Sequence, residues 1–304
     1  MKHIFIINPK AGKKSKETVI RNLISKHFQE NEVIIYITTQ TNDATRFVKE
    51  YMDNKPQEKT RFYACGGDGT LNEVVNGAYL YDNCEVACLP FGSGNDYIKN
   101  FGSSKDFLDL DRIKNGKTID VDVIKYLDKV SINVFNIGFD ANVVYHMMKY
   151  KKLPLMSGKS SYNMGVLRAM FSKIKYNVEL KLDDCILYEG KALLCAIASG
   201  KVYGGGFTCA PLAIVNDGIL DVCLVTGVSR LKFIGLIKYY KKGTFLNVEK
   251  ARKVIRYGQG SCVKIKFDRC VNYASDGELG RDTVFELSIM KKAIKFVLPS
   301  DKNL

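Results

Sequence analysis

Apolar and polar positions follow two different rhythms along the chain. In the first hundred residues, short continuous apolar runs occur at 3–8 (HIFIIN), 33–38 (VIIYIT), 61–66 (RFYACG) and 86–92 (VACLPFG). Runs this short and unbroken suit strands buried on both faces. Between them, apolar residues recur at helical spacing. Val19, Ile20, Leu23, Ile24, His27 and Phe28 form one stripe; 43–53 form a second, with Asn42 or Asp43 as cap; 70–80 form a third, and a short helix begins near Asn95. This alternation predicts a parallel sheet covered by helices on both faces, a three-layer α/β/α domain. After about residue 118 the period changes. TIDVDVIKY, KVSINVFNIGF, NVELKLD, CILYEGKALLCAIASG, GILDVCLVTG, SCVKIKF and TVFELSIM alternate with period two between turn residues, which predicts a mostly antiparallel β-sandwich. Helical interruptions are expected near 142–152, 160–173 and 230–242. The boundary falls around IKNGKTID, giving domains of 1–120 and 121–304, with the last residues free to pack back on the first domain. A chain of 304 residues agrees with two domains of ~150 residues each.

In an open parallel sheet, ligands bind beyond the carboxyl ends of the strands. Three glycine-bearing turns fall there, NPKAGKKS (8–15), GGDGT (66–70) and PFGSGND (90–96), and they suggest a Rossmann-like nucleotide domain. The first is not a complete phosphate loop. The leading glycine of G-x-x-x-x-G-K would stand at Ile7, and Lys14 separates Lys13 from Ser15. Phosphate contact through its backbone and a plain strand–helix loop both stay open. GGDGT permits positive φ and close ligand approach, and Thr70 could cap the helix that follows. Asp-Gly commonly marks a hairpin, but TLNEVVNGAY reads as helix. PFGSGND repeats the design one strand later, although its Asn-Asp pair also suits a helix cap. Two adjacent turns that each carry an aspartate suggest one cleft, with a divalent cation bridging nucleotide phosphates. In the second half, Asn216-Asp217-Gly218 is either a hairpin turn or, with Asp217 and nearby carbonyls, a hard-cation site. YASDGELG (273–280), taken alone, reads as an exposed acidic hairpin tip.

Composition narrows the partners. A net charge of +14 implies nucleic acid, nucleotide phosphates or an anionic membrane, unless the chain is simply lysine-rich. No zinc finger or RNP-like aromatic motif supports nucleic acid, which is not expected as a partner. Nine cysteines without a CxxC pair, among them Cys65, Cys88, Cys195 and Cys223 in apolar runs, read as reduced core residues. Three histidines without ligand spacing argue against a transition-metal site. No apolar run approaches the ~18 residues that span a bilayer. The first strand begins at Lys2 and leaves no room for a signal peptide, so a cytoplasmic location is expected.

Taken together and in order, GGDGTLNEVVNG, PFGSGND, NIGFDANVV (136–144), APLAIVNDGILDV (210–222) and DGE (276–278) resemble the diacylglycerol kinase catalytic-domain superfamily. The likeness is to its bacterial lipid kinases, with sphingosine and ceramide kinases as relatives, and covers nearly the whole chain. GGDGT alone is shared with NAD kinases; NEVVNG and GSGND single out the lipid kinases. The resemblance implies ATP bound between the domains. Its nucleotide contacts would fall at Asn8, Pro9, Lys10, Ala11 and Gly12, at Thr38, at Gly66, Gly67, Asp68, Gly69, Thr70, Leu71 and Asn72, and at Ser93, where many relatives have threonine. It implies a structural Mg²⁺ at Asp217 and the carbonyls of Ile214 and Ile219. It also implies Glu278 as catalytic base, with Asp68 as base or Mg²⁺ organiser, a choice the sequence leaves open.

The implied reaction moves the ATP γ-phosphoryl group to a lipid hydroxyl, diacylglycerol giving phosphatidic acid first among several acceptors. Phosphatidylglycerol, a prenol or a sphingoid base would use the same machinery. An NAD-kinase-like soluble-substrate kinase and a non-catalytic nucleotide or lipid sensor are the alternatives. A pure sensor would not need Asp68, Asp217 and Glu278 together. A membrane acceptor calls for a docking surface on the inner face of an anionic membrane. Residues 147–175 contain basic but no acidic residues, and 230–243 mix Leu231, Ile234 and Ile237 with Lys238, Lys241 and Lys242. An ordinary solvated helix face over a core stripe is the alternative for the second segment. A homodimer is left open.

Overall fold

A computed structural model of the chain describes residues 1–12, 16–151, 164, 165, 168, 169 and 175–301. Four parallel strands form the first sheet: β1 (Lys2–Ile7), β2 (Val33–Ile37), β3 (Thr60–Gly66) and β4 (Cys84–Pro90). Their order is β2-β1-β3-β4, with Ile4 opposite Ile34 and Phe62, and Phe62 opposite Val86. Every residue of β3 is buried, as an apolar run with helices on both faces requires. Helix α1 (Glu17–His27) connects β1 to β2, whereas α2 (Asp43–Asn54) and α3 (Asp68–Ala78) run back across the sheet. Right-handed crossovers therefore put α1 on one face and α2 with α3 on the other. Two short helices, α4 (Ser104–Phe107) and α5 (Leu110–Lys114), complete the α1 side, where Lys114 Nζ donates to His27 O at 2.6 Å.

Two local details depart from expectation. Helix α3 starts at Asp68 with Gly67 as its N-cap, so Thr70 lies inside the first turn and does not cap it. Its hydroxyl instead accepts from Asn8 Nδ2 at 3.1 Å. Near Asn95 the chain forms only a 3₁₀ turn, Tyr97–Asn100.

The second domain is built from antiparallel strands: β5 (Lys117–Tyr126), β6 (Lys129–Ser131), β7 (Val134–Gly138), β8 (Tyr176–Leu182), β9 (Cys185–Ala198), the short β10 (Val202–Tyr203) and β11 (Phe207–Thr208), β12 (Leu220–Thr226), β13 (Ile255–Gly260), β14 (Cys262–Ser275) and β15 (Glu278–Leu298). β9 and β14 are long enough to pair with two further strands in succession. The first part of each pairs with β8 and the last part with β7, which folds the surface over on itself. Phe135, Ile137, Leu180, Ile197, Val222 and Phe285 fill the interior of this sandwich. The opposite faces of β9 and β12 carry Leu194, Ala196, Cys223 and Val225, which pack under α6 (Phe139–Lys151) and α7 (Arg230–Lys242). Cys65, Cys88, Cys195 and Cys223 are buried and free. The helix expected near 160–173 lies largely outside the described residues.

Strand β15 joins the two domains. It pairs with β14, then with β5 through a register shift after Met290, and finally runs parallel to β4 with Phe296 opposite Val86. Among the described residues a single sheet of thirteen strands thus crosses both domains. Phe296 is fully buried, with ring centroids 5.1 Å from Tyr97, 5.4 Å from Phe101 and 6.3 Å from Phe107. Phe296→Ala should cost about 3–5 kcal/mol through the lost side chain and the cavity left behind. Urea unfolding measures this, and a loss below ~1 kcal/mol would refute the joining role of that ring.

Candidate active site

The turns after β3 and β4 touch through bare backbone. Gly92 N donates to Gly66 O at 2.9 Å, and a Cβ on Gly92 would overlap Gly67 Cα. A Cβ on Gly94 would lie 2.7 Å from Asp68 Oδ2. Asp68 occupies that gap and binds the next turn: its Oδ1 accepts from Asp96 N at 2.6 Å and Tyr97 N at 3.3 Å. Burial, and then the charge of Asp96, push the Asp68 carboxyl above the ordinary carboxylate range, while these N–H groups pull it down.

The first turn closes on the same place. Asn8 Oδ1 accepts from Lys10 N at 3.0 Å, and Ala11 N donates to Asn8 O at 3.1 Å. Gly12 adopts φ +79°, and a Cβ there would meet Phe91 O at 2.8 Å. A polar pocket of about 120 Å³ opens beside the turn, lined by Asn8, Lys10, Thr38, Thr39, Gln40, Thr41, Thr70 and Glu73. Asp43 holds one wall. It accepts from Thr39 N at 2.9 Å, Thr39 Oγ1 at 3.1 Å, Tyr36 Oη at 2.9 Å and Arg46 at 2.6 Å. The Thr39 N–H leads the causes that hold its carboxyl down at about 2. Because Gly67 has no side chain, the first-turn N–H groups of α3 carry no side-chain cap and can serve as phosphate donors.

The sequence-derived nucleotide residues divide accordingly. Asn8, Lys10, Thr38 and Thr70 line the pocket. Pro9, Ala11, Gly12, Gly66, Gly67 and Gly69 shape the surrounding backbone. Ser93 is exposed on the third turn. Leu71 is buried in the core, and its N–H donates to Gly67 O. Lys13, Lys14 and Ser15 lie outside the described residues.

Asn72 points across the domain junction. With its amide NH₂ facing the acceptors, it donates to Val130 O at 3.2 Å and to Asp276 Oδ2 at 3.1 Å. Asn76, one turn later, pairs both ways with Val130: Nδ2 donates to Val130 O at 2.8 Å and Oδ1 accepts from Val130 N at 2.9 Å. Asp276 is not the exposed tip expected of YASDGELG. Its positive φ of 45° turns the carboxylate inward, onto the N–H groups of Ile132, Asn133 and Val134 at 2.7, 3.2 and 2.8 Å. Burial pushes this carboxyl up to about 7, against those three donors. Glu278, two residues on, is half-buried and forms an ion pair with Lys129 Nζ at 3.0 Å. Asp96 Oδ2 accepts from Gly205 N at 2.7 Å and so fastens the triple-glycine turn 204–206 to the first domain.

On the 214–219 loop, Asp217 is exposed and accepts from Ile219 N at 3.0 Å. Among the described residues no three His, Cys, Asp or Glu side chains converge on a metal position. One carboxylate with the carbonyls of Ile214 and Ile219 is an all-oxygen donor set, which fits a hard cation such as Mg²⁺. The loop itself is held by buried Asp122, whose oxygens accept from Gly218 N at 2.6 Å and Lys292 N at 2.7 Å. Asn76, Asp122, Lys129 and Asp276 are not singled out from sequence as site residues, and Asp96, read there as facing a bridging cation, instead accepts from Gly205 N. Asn76, Asp96 and Asp276 lie within the motifs that carried the resemblance.

Comparison with known proteins covers both domains. A family model described as "Diacylglycerol kinase catalytic domain" matches residues 2–126, and one described as "YegS C-terminal NAD kinase beta sandwich-like domain" matches residues 133–298. The diacylglycerol kinase of Bacillus subtilis is 26% identical over 301 residues, covering 98% of this chain and 96% of that protein. A protein from Alcanivorax borkumensis named "Probable lipid kinase YegS-like" is 27% identical, covering 95% and 94%. A crystal structure titled as a diacylglycerol kinase from Bacillus anthracis superposes with a TM-score of 0.71 at 20% identity, covering 98% and 96% of the two chains, a likeness of fold.

Two measurements probe this geometry. Asp43 is depressed in the folded state, so its contribution to stability is present above its ordinary value of 3.8 and is lost as pH falls through about 2. The pH-dependent part of the gap between the wild type and Asp43→Asn should vanish over that window in acid-unfolding curves. Asn76→Ala removes the acceptor of Val130 N and one of the two amide donors to Val130 O, and should cost about 1–3 kcal/mol in urea unfolding.

Proposed function

Since the chain belongs to the diacylglycerol kinase catalytic-domain family and is a lipid kinase, we propose that it transfers the γ-phosphoryl group of ATP to a membrane lipid hydroxyl, diacylglycerol first. The observation that carries this reading is the junction itself. Helix α3, whose first-turn N–H groups carry no side-chain cap, is fastened to the second domain by Asn72, which donates to Asp276 two residues before Glu278, and by Asn76, which pairs with Val130.

In this mechanism the nucleotide lies along Asn8–Gly12, Thr38 and the start of α3, with Lys10 and backbone N–H groups offsetting phosphate charge. Magnesium, for which Asp217 with the carbonyls of Ile214 and Ile219 supplies a structural site and Asp68 a second anchor in the cleft, would add charge neutralisation on the phosphates. Two roles were open for Asp68. Its Oδ1 is occupied by Asp96 N and Tyr97 N, which supports a positioning role. Glu278 is half-exposed with Lys129 as its ion-pair partner, which supports it as the group that accepts the alcohol proton. A primary alcohol is a very weak acid, so this base must above all be close and aimed.

The acceptor lives in a bilayer, and we extend the proposal to peripheral association with an anionic membrane surface. Among the described residues no helix is long and apolar enough to cross a membrane. Incubation with labelled ATP, Mg²⁺ and a panel of lipids in micelles identifies the acceptor. Glu278→Gln should lower turnover at least ~100-fold while ATP binding persists; near-normal turnover would sink the assignment of the base.

A further inference from the structure

Helix α7 is divided lengthwise. Phe233, Leu236 and Tyr240, at the i, i+3, i+7 spacing of one face, are buried with residues of β9 and β12. The opposite stripe carries Leu231, 83% exposed, and Ile234, 53% exposed, followed by exposed Lys238, Lys241 and Lys242. At 3.6 residues per turn these five side chains fall within about 100° of arc. No acidic residue occurs between Asp221 and Glu249. Lys238 and Lys241 lie over the rings of Tyr239 and Phe207, at 5.0 and 5.4 Å. Among the described residues none of the three stripe lysines forms an ion pair with a carboxylate. Gly243 ends the helix against Thr208 and Pro211, next to a loop whose Leu212 is also exposed.

Large aliphatic side chains left in water beside unpaired lysines fit one kind of partner. The aliphatic groups can enter the acyl boundary while the lysine stems reach back to lipid phosphates. A second copy of the chain is disfavoured, because a two-fold contact would set this cationic face against itself. Nucleic acid would match the charge but leave Leu231 and Ile234 without an apolar partner. We propose that the outer stripe of α7 is the face by which the protein docks on an anionic phospholipid bilayer. The inference rests on the reading of the chain as a kinase with a bilayer-borne acceptor, and names the surface that delivers the protein to it.

The test uses the full chain and sucrose-loaded phosphatidylcholine vesicles with and without phosphatidylglycerol, at low and high salt. Wild type should cosediment with the anionic vesicles and be released by salt. Neutralising one lysine should weaken partitioning about fivefold, and Lys238→Gln/Lys241→Gln/Lys242→Gln together on the order of a hundredfold. Leu231→Gln/Ile234→Gln should weaken it by on the order of tenfold, including at high salt. Both sets should slow phosphorylation of vesicle-borne lipid and leave the rate on micellar lipid unchanged. Binding of either set equal to wild type would overturn the proposal. So would wild-type binding indifferent to anionic lipid, or a shift from dimer to monomer in sedimentation caused by the substitutions. If the wild type phosphorylated no lipid in micelles yet bound vesicles as described, the docking face would stand and the kinase reading would fall.

Discussion

One buried carboxylate oxygen, beside the backbone bond from Gly92 N to Gly66 O, holds the two central turns in register. Asp68 Oδ1 gathers the N–H groups of Asp96 and Tyr97, and the bare backbone at Gly67, Gly92 and Gly94 leaves room for it to do so. Burial, and after it the neighbouring charge of Asp96, makes this placement costly, and the N–H groups offset part of that cost. Asp96 is tied in turn to Gly205, so contact passes from β3 through two turns into the second domain. Geometry where the α3 N-terminus opens on the cleft therefore depends on buried polar contacts, which are directional, more than on apolar packing.

Helix α3 extends that constraint. Its first turn offers N–H groups to the cleft, and Asn72 and Asn76 fix it to Val130 and Asp276 of the second domain. One rigid rod thus sets the separation between the uncapped N-terminus of α3 and the turn that bears Glu278. Short, saturated amide pairings suit this role, since they hold position without the reach and rotamer freedom of long charged side chains.

The apolar rhythm was enough to read β1 to β4, the helices between them and the change of period near residue 118. It could not fix features whose partners are distant in sequence. Asp122 sits between valines in a period-two strand and there resembles a solvent-facing residue, yet its oxygens serve Gly218 and Lys292, 96 and 170 residues away. Asp276 looked like a hairpin tip because nothing nearby announces the three N–H groups at 132–134 that turn it inward. Thr70 looked like a cap because hydroxyl caps are common, but Gly67 already ends the turn. In α7 the sequence showed mixed apolar and basic residues without saying which were core. Phe233, Leu236 and Tyr240 took the inside, and Leu231 and Ile234 were left out. The glycine turns were legible because a missing side chain is itself a local signal.

The parallel pairing of β15 with β4 also bears on how the chain is made. Val86 and its neighbours are synthesised long before Phe296, so the edge of the first sheet emerges from the ribosome without its final partner. An unpaired edge beside a buried aromatic site is open to the wrong strand for the whole time that the second domain is being translated. The β-sandwich is inserted, in order of synthesis, between two parts of one sheet. Folding of the first domain is then completed only after the second has largely appeared, which ties the maturation of the cleft to the synthesis of β15.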